Sequence, residues 1–178
     1  MLLFGIILLF SGGGEKPATT PAPAVKSLPE YSITSAETSM TTRGEINGDD
    51  EHRSIRITIG QYERRLDIIT GYQSQVIQTN TFSNNQSAYS EFLYAIKDAG
   101  FMIKKKGVDP AQVQPDGKCP LGNLYIFELN AGNETLSSLW SSSCGSAIGT
   151  LGGNSSLLQT LFKNQVTNYS QLTSGVQL

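Results

Sequence analysis

The stretch that decides the fold class is RSIRITI, residues 53–59. Its three isoleucines alternate with polar residues, and this period of two is typical of a strand with one buried face. Two further β-rich runs follow at residues 66–70 and 75–82, with a turn at Gly71 and Tyr72 between them. Because the connections are short, we expect neighbouring antiparallel strands.

The hydrophobic period changes to that of a helix after residue 82. Apolar residues recur at spacings of three and four, Asn85 or Ser87 can cap the helix, and Gly100 can end it in the left-handed conformation. The residues predicted to face the core are Tyr89, Phe92, Leu93 and Ile96. A second helix is predicted after Asn154. Its apolar side consists of Leu157, Leu158, Leu161 and Phe162.

Two more strands are predicted at residues 124–130 and 135–141, joined by a tight hairpin at residues 130–133. Residues 101–103 are expected to begin another strand. The sequence therefore predicts an α+β fold, with a mainly antiparallel sheet of about five or six strands and two helices packed on one face.

The chain divides by composition into three segments. Residues 1–14 are export signal-like, because the apolar run MLLFGIILLF is too short to span a bilayer but matches the apolar region of a signal peptide. Residues 15–52 are predicted to form a disordered tether, rich in Pro, Thr and Ala and then acidic. Residues 53–178 are predicted to form a single α+β domain.

Residues 1–25 resemble the N-terminus of a bacterial lipoprotein, in which an apolar run precedes small residues and a flexible tether. The resemblance implies an extracytoplasmic location, with the protein secreted or held near the membrane by its N-terminus. Gly13 stands where a lipoprotein has the cysteine that carries the lipid. Without that thiol no thioether can form, and cleavage near Gly13 by an ordinary signal peptidase is the alternative.

The two cysteines are predicted to form a disulfide. If Asn130 pairs with Asn133 across the hairpin turn, the same register places Cys119 opposite Cys144. Such a bond would stabilise the fold by about 3–4 kcal/mol and would persist only outside the reducing cytosol. Two unrelated buried thiols are the alternative.

Composition excludes several classes of function. The formal net charge is −2, so electrostatic attraction to nucleic acid is not expected. One histidine excludes a multi-histidine metal site, and two cysteines exclude a structural zinc site. The hydroxyl-rich run at residues 140–146 has no base beside it in the sequence, since His52 lies at the end of the predicted tether. No catalytic residue, metal or cofactor is therefore predicted.

Two sets of residues are candidates for binding. Tyr72, Tyr125 and Trp140 are predicted to be exposed contact residues, because tyrosine and tryptophan often anchor interfaces. A core position is the alternative for each of them, and above all for Trp140.

The second set is a glycine-rich loop that leads into the last predicted helix. It consists of Gly152, Gly153, Asn154 and Ser155, whose backbone N–H groups are candidates to bind an anion. A tight turn is the alternative interpretation of these glycines.

These features predict an exported or cell-envelope protein whose domain binds an unknown protein, peptide or glycan. One alternative is a secreted hydrolase with a carboxylate-based site, for which Glu128 with a second facing acid would be required. The other is a structural component of the envelope.

Overall fold

The computed structural model describes residues 26–145 and 149–178. Its strands are β1 (Ala36–Arg43), β2 (Arg53–Ile59), β3 (Glu63–Thr70), β4 (Gln75–Ser83), β5 (Leu124–Ala131) and β6 (Glu134–Ser142). A 3-10 helix (Leu28–Ile33) precedes β1, and the α-helices are α1 (Gln86–Asp98), α2 (Ser155–Lys163) and α3 (Tyr169–Leu172). The signal-like segment, residues 1–14, lies outside the described residues. None of the described helices is long and apolar enough to cross a membrane.

The six strands form one sheet in the order β4-β3-β2-β1-β5-β6, and every neighbouring pair is antiparallel. This confirms the predicted α+β class and the antiparallel sheet. Consecutive strands are neighbours except β4 and β5; β5 pairs instead with β1, which therefore lies in the interior of the sheet. The connection from β4 to β5 contains α1.

The prediction of a disordered tether over residues 15–52 is wrong where the structure describes this segment. The 3-10 helix is anchored by buried Leu28 and Tyr31, and β1 is an interior strand of the sheet. The sequence of β1, AETSMTTR, has Met40 as its one large apolar residue, so no alternation of apolar and polar residues marks it. Its threonines still suit a strand, because β-branched side chains pack well on a pleated surface.

Residues 101–103 do not form the predicted strand. Gly100 has a φ of +85°, and the amide of Ile103 donates to the Gly100 carbonyl at 3.0 Å, so the chain turns here. The turn places the Phe101 ring in the core. Pairing is limited to one isolated bridge between Lys104 and Leu151.

One face of the sheet carries the core. A row of buried side chains crosses five neighbouring strands, and β-pairing places its members side by side. These residues are Leu139, Phe127, Met40, Ile57 and Leu66. They belong to the same apolar cluster as the buried residues of α1 and α2. We call this side of the sheet the helix face.

Both predicted helices are present with the predicted caps. The Asn85 side chain accepts a hydrogen bond from the Ala88 amide at the start of α1, and Gly100 follows its end in the left-handed conformation. Asn154 caps α2 in the same way, accepting from the Leu157 amide. These caps satisfy amides that a helix cannot satisfy internally.

The opposite face of the sheet is largely polar on β1, β2 and β3, where the side chains that alternate with the core residues are mostly polar or charged. On β3, Arg65 Nε donates to Asp67 at 3.0 Å, and the Thr79 hydroxyl of β4 donates to the same carboxylate at 2.8 Å. On β2, Arg56 Nε donates to the Thr41 hydroxyl at 3.2 Å. We call this side the polar face. Its charged groups lie beside the candidate site.

Candidate functional site

The Cys119–Cys144 disulfide is present, with a Cα–Cα distance of 5.4 Å. The register predicted from the hairpin is nevertheless wrong, because Asn130 pairs with Thr135 and an irregularity follows between Leu129 and Asn130. At the end of β5 and β6 away from the hairpin, Leu124 pairs with Ser142. Continued without a break, that register would place Gly122 opposite Cys144.

A tight turn brings Cys119 back to its partner. The Gly122 amide donates to the Cys119 carbonyl at 3.2 Å, which folds residues 119–122 on themselves. A Cβ on Gly122 would lie 2.6 Å from Ser143 Oγ and 3.0 Å from Cys119 Sγ. A larger residue at this point would have to displace Ser143 or the disulfide, so glycine suits the turn.

The disulfide fixes one end of the connection between α1 and β5 against the polar face. Trp140 is 3% exposed, and its indole N–H donates to the Val113 carbonyl at 2.8 Å. Its ring clusters with Cys119, Leu124 and Ile126. Trp140 is therefore a core residue of this small cluster and is not an exposed contact residue.

A groove lies between the disulfide-anchored loop and the connection that joins β3 to β4. Its volume is about 240 Å³. Its lining includes Arg43, His52, Ser54, Tyr72, Ser74, Asp116 and Lys118. We call it the disulfide groove. A second hollow of about 100 Å³ shares Arg43, Ser54 and Ser74 with it and continues along the polar face to Arg56 and Glu128.

Tyr72 is the most exposed aromatic residue of the disulfide groove, at 51%. Its ring stacks on the buried His52 ring, with centroids 4.2 Å apart and planes inclined by 11°. The Tyr72 hydroxyl donates to the Asn47 carbonyl at 2.9 Å, and His52 Nδ1 donates to the Glu45 carbonyl at 3.1 Å. The ring is thus held in a fixed position at the groove.

The charged groups at the groove have both signs. Arg43 and Asp116 form an ion pair at 3.0 Å, and both side chains are exposed, so the pair adds little stability. Lys118, two residues later, is exposed and also lines the groove. Because Cys119 follows directly, the disulfide determines where these loop charges lie.

Two groups of predicted site residues lie away from the groove. Tyr125 is half-buried and packs against the core of the helix face. In the glycine-rich loop, the Gly152 amide donates to Ile103 at 2.7 Å and the Asn154 amide donates to Ala99 at 2.8 Å. These two amides are therefore not free for an anion.

The glycines of this loop have a structural explanation. A Cβ on Gly153 would collide with the Gly100 carbonyl, so the loop needs glycine to pack against the end of α1. Ser155 bonds to Ser141 through their hydroxyl groups at 2.6 Å.

Glu128 lies on the polar face, and Glu37 is on the same side of the neighbouring strand, two residues from the position that pairs with Glu128. Glu128 accepts a hydrogen bond from the Ser138 hydroxyl at 3.3 Å. Asp67 is on β3, three strand positions away, which corresponds to about 14 Å and exceeds the separation used by paired glycosidase carboxylates. Glu37 lies within contact distance of Gly60, on the side of β1 that faces β2.

Asp67 instead belongs to a small ionic network. Burial alone would lower the pKa of Arg65, but the carboxylates of Asp67, Glu37 and Glu63 raise it above its ordinary value. Among residues 26–145 and 149–178, no group of three or more His, Cys, Asp or Glu residues lies close enough to bind a metal ion.

No protein-family model, no curated protein and no solved structure matches this chain. The disulfide groove was not predicted as a unit, since Arg43, His52 and Lys118 are distant in sequence. The signal that could have located it is the disulfide, which brings residues 116–118 to the end of β1.

Proposed function

We propose that this protein is exported and that its domain is a binding module with the disulfide groove as its ligand site. The observation that carries the proposal is the Cys119–Cys144 bond, which both requires an oxidising compartment to persist and fixes the loop that forms one wall of the groove. The lipoprotein-like N-terminal sequence supports the same location.

The groove favours a glycan as the ligand. At about 240 Å³ it is smaller than the usual pocket for a drug-sized molecule, so it suits one sugar unit of a longer chain. The Tyr72 ring, fixed by its stacking on His52, offers an apolar surface for one face of a sugar. Hydrogen-bond donors for sugar hydroxyl groups are offered by Arg43, Ser54 and Lys118. A peptide side chain is the competing ligand class, and no nucleic acid is expected.

The proposed export predicts the oxidation state of Cys119 and Cys144 in the native cells. After fractionation with an alkylating agent present throughout, we expect the chain outside the cytosol, with Cys119 and Cys144 alkylated only after reduction. Reduction should raise the intact mass by about 2 Da, because one disulfide takes up two hydrogens. A cytosolic chain with two freely alkylated thiols would contradict export.

The proposed glycan binding predicts that substitution of Tyr72 lowers the glycan affinity. Substitution of an equally exposed tyrosine outside the groove should leave the affinity unchanged. Tyr94 on α1 is 49% exposed, nearly the same as Tyr72, and lies away from the groove. On a glycan array followed by calorimetry, we expect Tyr72→Ala to weaken binding about tenfold or more, as loss of an aromatic anchor usually does. Tyr94→Ala should bind as the unmodified chain does.

Further variants separate binding from folding. Tyr72→Phe retains the ring that stacks on His52 and loses only the hydroxyl, so it should fold and retain most of the glycan affinity. Equal losses in Tyr72→Ala and Tyr94→Ala, or binding of peptides alone, would refute the glycan site. Cleavage of the bound glycan that depends on Glu128 would favour the secreted hydrolase, and a chain that polymerises but binds no ligand would favour a structural envelope component.

A further inference from the structure

β4 is an edge strand with an open outer side. It pairs only with β3, and all of its nine residues except Asn80 and Phe82 are exposed. Among the described residues, no backbone hydrogen bond reaches β4 from outside the sheet. Unpaired N–H and C=O groups in such a row are a template for another strand.

The opposite edge of the sheet, formed by β6, is covered at Trp140. The amides of Thr150 and Leu151 donate to the Trp140 carbonyl at 2.9 and 3.0 Å, and the Trp140 amide donates to the Thr150 hydroxyl at 3.0 Å. The returning chain therefore interrupts this edge near the C-terminal end of β6. Within the described part of the chain, the sheet has one edge that is open along its length.

The open edge lacks the usual protection. Charged residues and proline commonly block exposed edges, but QVIQTNTFS, the sequence of β4, contains neither. One irregularity lies at Ile77, where the pairing moves from Ile68–Gln78 to Ile69–Val76. It leaves a regular stretch at residues 78–83, with its centre near Asn80.

We propose that β4 pairs with β4 of a second copy of this chain, antiparallel, about a two-fold axis near Asn80. Two uncharged strands can meet without like-charge repulsion, and an isologous contact at one open edge forms a closed dimer, whereas two open edges would allow a filament. Asn80 pairs with Leu66, whose side chain is on the helix face. If Asn80 of one copy pairs with Asn80 of the other, the helix faces of both copies lie on the same side of the joined sheet.

A second copy suits this edge better than a peptide ligand. Proteins that bind an extended peptide at a sheet edge add pockets for its alternate side chains. No residue of β4 lines the disulfide groove or the smaller hollow beside it. The proposal does not depend on the ligand of the disulfide groove.

The test compares opposite charges at the two-fold axis. In sedimentation equilibrium over a concentration series, we expect the full-length chain to dimerise. Asn80→Lys and Asn80→Glu, each alone, should raise the dissociation constant about fivefold or more, because like charges then face each other. An equimolar mixture of the two variants should restore the dimer.

Gln112→Lys, an added charge on an exposed loop, is the matched control and should dimerise as the unmodified chain does. Circular dichroism of each variant shows whether it is folded. A monomer at every concentration would overturn the proposal, as would a dimer that is unchanged by both Asn80 variants. An unmodified chain that stays monomeric but captures extended peptides at β4 would assign the edge to another partner.

Discussion

A chain that begins at Arg53 should not fold, whereas a chain that begins at Lys26 should fold. The shorter chain lacks β1, so β2 and β5 each lose an antiparallel neighbour and the sheet is divided into two parts. It also loses Met40 from the centre of the core and the Ala36 carbonyl that accepts the Tyr89 hydroxyl at 2.8 Å. Near-ultraviolet circular dichroism and urea titration should show no cooperative transition for the shorter chain.

The Lys26 chain is the matched comparison, because it removes only residues outside the described structure. A cooperative transition of similar midpoint in both chains would contradict the interior position of β1. Adding a peptide that spans residues 26–52 to the shorter chain gives a second check, since it should restore folding if the missing strand is the cause.

Phe162→Ala should be among the most destabilising single substitutions in the core. The ring is fully buried and lies within 5.1–6.2 Å, between centroids, of the rings of Phe92, Phe101 and Phe127. Its removal leaves a cavity where α1, α2 and the sheet meet. We expect the free energy of unfolding, measured by urea titration, to fall by about 3–5 kcal/mol.

Leu157→Ala on the same helix is the control, because Leu157 is largely exposed and its truncation should cost less than about 1 kcal/mol. Equal losses for the two variants would contradict this aromatic contact as the main contribution of α2, because alanine has the higher helix propensity at both positions. A small loss for Phe162→Ala alone would contradict the packing of the core.

Much of the fold could be predicted from periodicity. The isoleucines of β2 and the spacing of Tyr89, Phe92 and Ile96 in α1 each mark an element with one apolar face. β1 carries no such mark, because Met40 is its one large apolar residue. Thr38 and Thr42 lie on its helix face as polar residues, and both are buried.

The candidate site was predictable only in part. The cysteine pairing was correct although its register was not, since the turn at residues 119–122 absorbs the difference. Tyr72 was predicted as an exposed contact residue because tyrosine often anchors interfaces. The ion pair between Arg43 and Asp116 depends on tertiary packing between segments far apart in sequence, and no local sequence pattern predicts it.

The interior position of β1 has a consequence for how the molecule assembles. Thr38 pairs with Leu129, about half the chain length further on, so the sheet cannot close until β5 has been synthesised. Contacts of such long sequence separation slow folding, because a large loop must be closed before they form. Until then β1 has β2 as a neighbour but lacks its second partner strand. The complete sheet should accordingly form late, after residues 124–131 have been synthesised.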